Sequence, residues 1–327
     1  MSTDYTQVHH SPSGPGDARP TARQIIENEH LEGQWDDKVI LITGCSSGLG
    51  VETARALYTT GATLYLTARN IMKARAALDD IASSPRVHFL HLDLSSLESV
   101  RACANAFKAS SQALHILIEN AAVMACPEGQ TTDGFETQFG TNHLGHFLLF
   151  HLLKPVLLSS STPDFNSRVV IVSSIAHQYS TVNFDNINLV GEYDPRKAYG
   201  QSKTANIWSA NEIDRRYGTR GLHAWSLHPG AIATDLQRHI PEEQKQLWAQ
   251  DTDSQKYWKS PEQGAATTVW AAVSRGLEGI GGRYLEDCAI AVTDANGQGP
   301  NLAPWTYDPV SEAKLWDRSL ELLQLEK

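Results

Sequence analysis

The chain has 327 residues, 41% of them hydrophobic and 20% charged, which is the material of an ordinary globular protein with a sizeable core. A net charge of -10 excludes general nucleic-acid binding, which needs clustered Lys and Arg to displace counterions. It leaves open a small anionic ligand held by a local basic group.

From Met1 to Arg23 the chain is rich in Ser, Thr, Pro and Gly and lacks the basic-then-apolar order of a secretory signal. Residues 1–34 are therefore expected to form a mobile tail, and residues 35–327 a single domain. Val39-Ile40-Leu41-Ile42 is a short continuous apolar run of the kind a parallel strand buried on both faces requires. The same unit recurs at 63–66, 87–90, 116–118, 169–172 and 224–227. Between these runs, 51–58, 72–81, 97–107, 144–158 and 205–217 have helical periodicity. Ser95 and Glu98 have capping-box spacing ahead of the third helix. Alternating strand and helix predict an α/β fold, a doubly wound parallel sheet with helices on both faces. The polar stretch 235–260 after the last clear strand reads either as a substrate lid or as a plain solvated helix pair.

Thr43-Gly44-Cys45-Ser46-Ser47-Gly48-Leu49-Gly50 lies between the first strand and the first helix. Glycines there permit a tight turn and let backbone N–H groups approach a pyrophosphate, which the helix dipole also favours. Arg69 stands at the end of the second strand, where a carboxylate would select NAD. A guanidinium there can bond a 2′-phosphate and points to NADP(H); Lys73 adds charge nearby. Tyr199 and Lys203 are four residues apart at the start of a helix and share a face. An ammonium beside a phenol is expected to lower its pKa and so prepare it for proton transfer. Ser173-Ser174 follows the fifth strand, Asn120 the fourth, and Asn142 opens the long helix after it.

The T-G-x-x-x-G-x-G loop, Asn142-His143-Leu144-Gly145-His146-Phe147, Ser173-Ser174-Ile175-Ala176-His177, Tyr199-Gly200-Gln201-Ser202-Lys203 and His228-Pro229-Gly230 together resemble the short-chain dehydrogenase/reductase superfamily from about Val39 to Leu285. The resemblance is closest to the branch of the retinol dehydrogenases and the WW-domain oxidoreductase. It implies an oxidoreductase that interconverts a ketone or aldehyde with an alcohol. Tyr199 would be the acid/base, and Lys203 would lower its pKa and bind the nicotinamide ribose. Ser174 would orient the substrate oxygen, and Asn142 would hold a water in a proton relay. Gly44, Ser46, Ser47, Gly48, Leu49, Gly50, Arg69, Asp93, Leu94, Asn120, Ala121, Pro229, Gly230, Ile232 and Thr234 would line the cofactor, with Asp93 and Leu94 beside the adenine and the last four around the nicotinamide. Where relatives carry N-N-A-G, this chain reads Glu119-Asn120-Ala121-Ala122, and Glu119 has no assigned role.

No apolar run approaches the ~18 residues of a membrane span, and the four scattered cysteines lack metal-ligand spacing and read as free thiols. The expectation is a cytoplasmic enzyme acting on a small molecule, with neither metal nor nucleic acid. A homo-oligomer is the habit of the superfamily. The alternatives are a non-catalytic dinucleotide sensor or scaffold, and an epimerase or dehydratase on the same fold.

Overall fold

The computed structural model describes residues 4–292, 299 and 301–326; residues 1–3 of the expected tail and 293–298, 300 and 327 of the expected domain lie outside these. Six of the strands fall where the apolar runs predict them: β1 (Val39–Thr43), β2 (Thr63–Ala68), β3 (Val87–His91), β4 (Ile116–Glu119), β5 (Ser167–Val172) and β6 (Leu222–His228). Two further pairs, β7 (Ala231–Ile232) with β8 (Trp258–Lys259) and β9 (Arg283–Glu286) with β10 (Ala289–Ile290), follow. The main sheet has the order β10-β9-β6-β5-β4-β1-β2-β3 and is parallel apart from β10. Its strand order reverses between β1 and β4, which places a ligand crevice at their carboxyl ends.

Each face of the sheet carries its own apolar layer. On one side Leu41, Leu117, Val169 and Ala224 meet Phe107, Leu148, Trp208 and Trp316 from the helices Leu97–Ser110, Gly145–Ser160, Pro195–Tyr217 and Pro309–Leu322. On the other, Ile40, Ile42, Ile118 and Val170 meet Leu57 and Val269 from Leu49–Tyr58 and Ala266–Val273. Alternate residues of one strand supply opposite layers, so the strands read as unbroken apolar runs. Trp316 is buried on the terminal helix, and Trp305, in the loop before it, donates through Nε1 to Thr204 Oγ1 on the helix Pro195–Tyr217 (3.3 Å) and to His177 O (3.2 Å). All four cysteines are free and buried.

Two expectations are corrected. The described part of the N-terminal segment is packed rather than a mobile tail. Thr21 and Gln24 close a reciprocal capping box on the helix Ala22–Asn28, and Ile25, Ile26 and Leu31 are buried in the second apolar layer. Three large aliphatic side chains suffice because they add to an existing core instead of building one. The cap of Leu97–Ser110 is Ser96, whose hydroxyl accepts from Ser99 N; Ser95 instead donates to Asp93 Oδ1 at 2.7 Å.

Stretch 235–260 folds as the turn Asp235–His239 and the helices Glu242–Gln250 and Thr252–Gln255, with no buried residue in any of them. No helix among the described residues is long and apolar enough to cross a membrane.

Candidate active site

The glycine loop turns because Gly44 (φ +78°) and Gly48 (φ +62°) adopt left-handed backbone that other residues resist. Gly50 allows a close approach: a Cβ there would stand 2.3 Å from Gly44 O and 2.7 Å from Asn120 Nδ2. Thr43 staples this loop to the one after β4, its Oγ1 accepting from Asn120 N at 2.9 Å and Ala121 N at 3.0 Å. With both lone pairs engaged, the hydroxyl proton goes to His146 Nε2, 2.9 Å away. His146 therefore carries its proton on Nδ1, which donates to Asn142 O at 2.9 Å. Burial lowers this imidazole to about 4 and keeps it neutral.

A cleft of about 530 Å³ opens over these loops. Of the residues expected around a cofactor, all line it except Gly50, which acts from behind through its missing Cβ. Arg69 and Lys73 stand at one end, with Lys73 Nζ 3.1 Å from Asp235 Oδ2. An elongated dinucleotide fits this cradle: side chains are absent where the backbone crowds, and cations stand at one end of an otherwise acidic protein.

At the other end, Asp194 caps the helix Pro195–Tyr217 by accepting from Arg196 N and Lys197 N, and Pro195 sits in its first turn. This start sets Tyr199 and Lys203 on the face turned to the cleft. Ser173 and Ser174 both line the cleft, and they differ in use. The Ser173 hydroxyl is committed to Lys203 O at 2.8 Å. Ser174 accepts from Ala176 N at 3.1 Å and bonds the phenol of Tyr199, while His177 Nδ1 holds its carbonyl at 2.7 Å. His177 packs behind the site, accepting from Ala303 N, and Tyr179 is exposed.

The electrostatics correct the simple picture of an ammonium lowering a phenol. Lys203 Nζ lies 5.5 Å from the Tyr199 ring centroid and donates to Val172 O at 2.9 Å. Burial pushes the phenol above its ordinary value of 10, and the Ser174 bond offsets only part of this. Burial also drops Lys203 to about 7. Desolvation penalises the charged form of each, so it outweighs their mutual attraction in the protein by itself.

Asn142 stands behind the wall rather than in it. Its Nδ2 donates to Val123 O (2.9 Å) and Ser202 Oγ (3.0 Å), and its Oδ1 accepts from Val123 N (2.9 Å). Both amide protons are thereby committed, and its side chain braces Val123. Glu119 is buried at the end of β4 with no hydrogen-bond partner for Oε1 among the described residues. It faces a cavity of about 10 Å³ shared with His143, His146, Asn206 and Ser209, and burial raises it to about 8. His143 bonds Ser319 Oγ (2.8 Å) and Ser209 Oγ (3.3 Å). Cys126 is buried away from the cleft lining.

Sequence reasoning missed Val123, Met124, Gln130, Thr137 and Thr141, which form the cleft wall between Asn120 and the Asn142 turn; Leu236–Arg238, from the stretch expected as a lid or a solvated helix pair, also line the cleft. Thr141 is the most telling, since its buried Oγ1 has no partner among the described residues. Its place next to Asn142 was the only available signal.

This arrangement defines a nucleotide-dependent oxidoreductase fold, and the comparisons place it: the chain belongs to the short-chain dehydrogenase family, whose pattern matches residues 38–245. Within that family it falls in the retinol-dehydrogenase-like branch. It is 52% identical to the short-chain dehydrogenase/reductase prx1 of Penicillium roqueforti over 98% of this chain and 95% of that one. To human retinol dehydrogenase 11 it is 38% identical, over 94% and 93% of the two chains. A solved structure of an uncharacterised protein from Mycobacterium paratuberculosis superposes with a TM-score of 0.66 at 33% identity, covering 88% of this chain and 94% of that one.

Proposed function

We propose that the protein is an NADP(H)-dependent oxidoreductase that reduces a ketone or aldehyde to an alcohol. The observation that carries this reading is one cleft with Tyr199, Lys203 and Ser174 at one end and Arg69 with Lys73 at the other. The loop from Gly44 to Gly50 would receive the pyrophosphate, Asp93 and Leu94 would border the adenine, and Arg69 would take the 2′-phosphate. Asn120, Ala121 and the run from Pro229 to Thr234 would enclose the nicotinamide end. When bound, the nicotinamide supplies or accepts a hydride at the carbon of the reacting group.

The protein's own side chains manage the oxygen of that group. The Ser174 hydroxyl donates a hydrogen bond to it, and Tyr199 gives it a proton. A phenol held above its ordinary pKa is protonated at neutral pH, as a proton donor must be. The phenolate left behind is stabilised by the ammonium form of Lys203, which is about half populated near pH 7. Asn142 and His146 fix the wall and loop against which the substrate is set. The helices of 235–260 at the mouth would act as a substrate lid, and four buried free thiols fit a reducing, cytoplasmic setting. A homo-oligomer remains the superfamily's habit.

The test is Tyr199→Phe, with NADPH consumption followed on a panel of ketones and aldehydes. Turnover should fall by about 10²–10⁴-fold with NADPH binding retained. Unchanged turnover would remove Tyr199 from the chemistry. NADPH binding by the wild type without turnover of any carbonyl would favour a sensor. Solvent-proton exchange without net NADPH loss would favour an epimerase.

A further inference from the structure

Arg19 is 4% exposed, although it lies in a segment whose composition suggests a loose tail. Its guanidinium donates from Nε to Asp17 Oδ1 (2.8 Å), from Nη1 to Tyr257 O (3.0 Å), and from Nη2 to Trp258 O (2.6 Å), Gly14 O (3.2 Å) and Lys256 O (3.3 Å). Three successive carbonyls, 256 to 258, thus depend on one side chain more than 230 residues away. Gln263 adds a second peg: its Nε2 donates to Arg19 O (2.9 Å) and Asp17 O (3.1 Å), and its Oε1 accepts from Gly16 N (2.9 Å).

The other side of the same segment backs the cleft. β8 pairs with β7 through Ala231↔Trp258 and Ile232↔Lys259. The stem of Lys259 lies 2.9 Å from where a Cβ on Gly230 would stand, and its Nζ donates to Asp287 Oδ1 (2.6 Å) and Pro229 O (3.4 Å). A Cβ on Gly264 would stand 2.6 Å from Ile232 Cγ1 and 2.8 Å from Leu49 Cδ2. Residues 256–264 are therefore a thin slab, fastened by Arg19 on one side and shaping Pro229, Gly230, Ile232 and Leu49 on the other.

We propose that Arg19 is a positioning residue for the nicotinamide end of the bound dinucleotide, acting through this slab. The inference rests on the reading that the cleft holds NADP(H). Without the guanidinium, carbonyls 256–258 and Gly14 O lose this donor, Asp17 loses one of its hydrogen bonds, and the slab no longer has a fixed seat. Among the described residues, neither Arg69 nor Asp93, which would border the adenosine end, is hydrogen-bonded to the slab.

The experiment titrates NADPH and 2′,5′-ADP, which fills only the adenosine half, into full-length wild type, Arg19→Ala and Arg19→Lys. Arg19→Ala should raise the Kd for NADPH about tenfold or more while leaving that for 2′,5′-ADP within about twofold. Arg19→Lys should lie between, because a point ammonium cannot span separate carbonyls as the planar fork does. If Arg19→Ala does not fold, Arg19→Lys must show the same split between the two ligands. An unchanged NADPH Kd, or equal weakening of both ligands, overturns the proposal. Wild type that binds neither ligand overturns the cleft reading itself, and the role of Arg19 with it.

Discussion

Replacing Glu119 by Gln should stabilise the fold by an amount that grows with pH. The carboxyl is buried, its Oε1 is unpartnered among the described residues, and burial lifts it from 4.5 to about 8. Because the folded-state value is the higher one, the folded chain holds a proton between these two pH values that the unfolded chain has released. Stability is therefore intact below pH 4.5, declines as pH rises, and levels off above about 8. At about 1.36 kcal/mol per pH unit, the loss reaches roughly 3 kcal/mol at pH 7 and roughly 5 kcal/mol beyond pH 8. Gln has nearly the shape of the protonated acid and does not titrate, so this loss disappears in the variant. Other titrating groups are common to both proteins and cancel in the difference. Urea denaturation of both at pH 5, 6, 7 and 8 measures it. The stability gap between variant and wild type should widen by several kcal/mol across that range. A constant gap, whatever its size, would mean that Glu119 has an ordinary pKa and that its surroundings are not dry.

Two further substitutions test the cleft. Gly50→Ala puts a methyl against backbone at 2.3 Å from Gly44 O, so it should cost roughly 1–3 kcal/mol of stability and weaken NADPH in a binding titration. Unaltered binding would mean that the close approach is not needed. Arg69→Ala should raise the Kd for NADPH by about 10–100-fold and leave NADH nearly unaffected, since charge-assisted bonds to a 2′-phosphate are worth ~1.5–3 kcal/mol. Parallel losses for both cofactors would place Arg69 elsewhere in recognition.

Much of the sheet was legible in the sequence because a strand buried on both faces needs apolar residues at every position, as Ile40, Leu41 and Ile42 show. The glycine loop was legible for a similarly local reason: backbone that must turn and approach closely leaves few residue choices. What was not legible depended on distant partners. Arg19 is one polar residue in a polar stretch until carbonyls 256–258 close around it. The helix Ala266–Val273 is buried on all sides, so it has no amphipathic period to detect. β9, read RYLE, is too short for its alternation to stand out. The spacing of Tyr199 and Lys203 correctly put the two on one cleft-facing surface. It could not reveal that dehydration, rather than their mutual attraction, governs both groups before any ligand arrives. Asn142 was placed at the right turn, but its side chain is committed to neighbours that only the folded chain supplies.

The cysteines give the molecule a built-in clock. Cys45, Cys103 and Cys288 have thiols pushed up to about 12 by dehydration, and Cys126 is shifted in the same direction. Reagents that attack sulfur require the thiolate, and the native chain offers almost none at neutral pH. Alkylation must therefore wait for the protein to open, and its rate reports how often each layer beside the sheet comes apart.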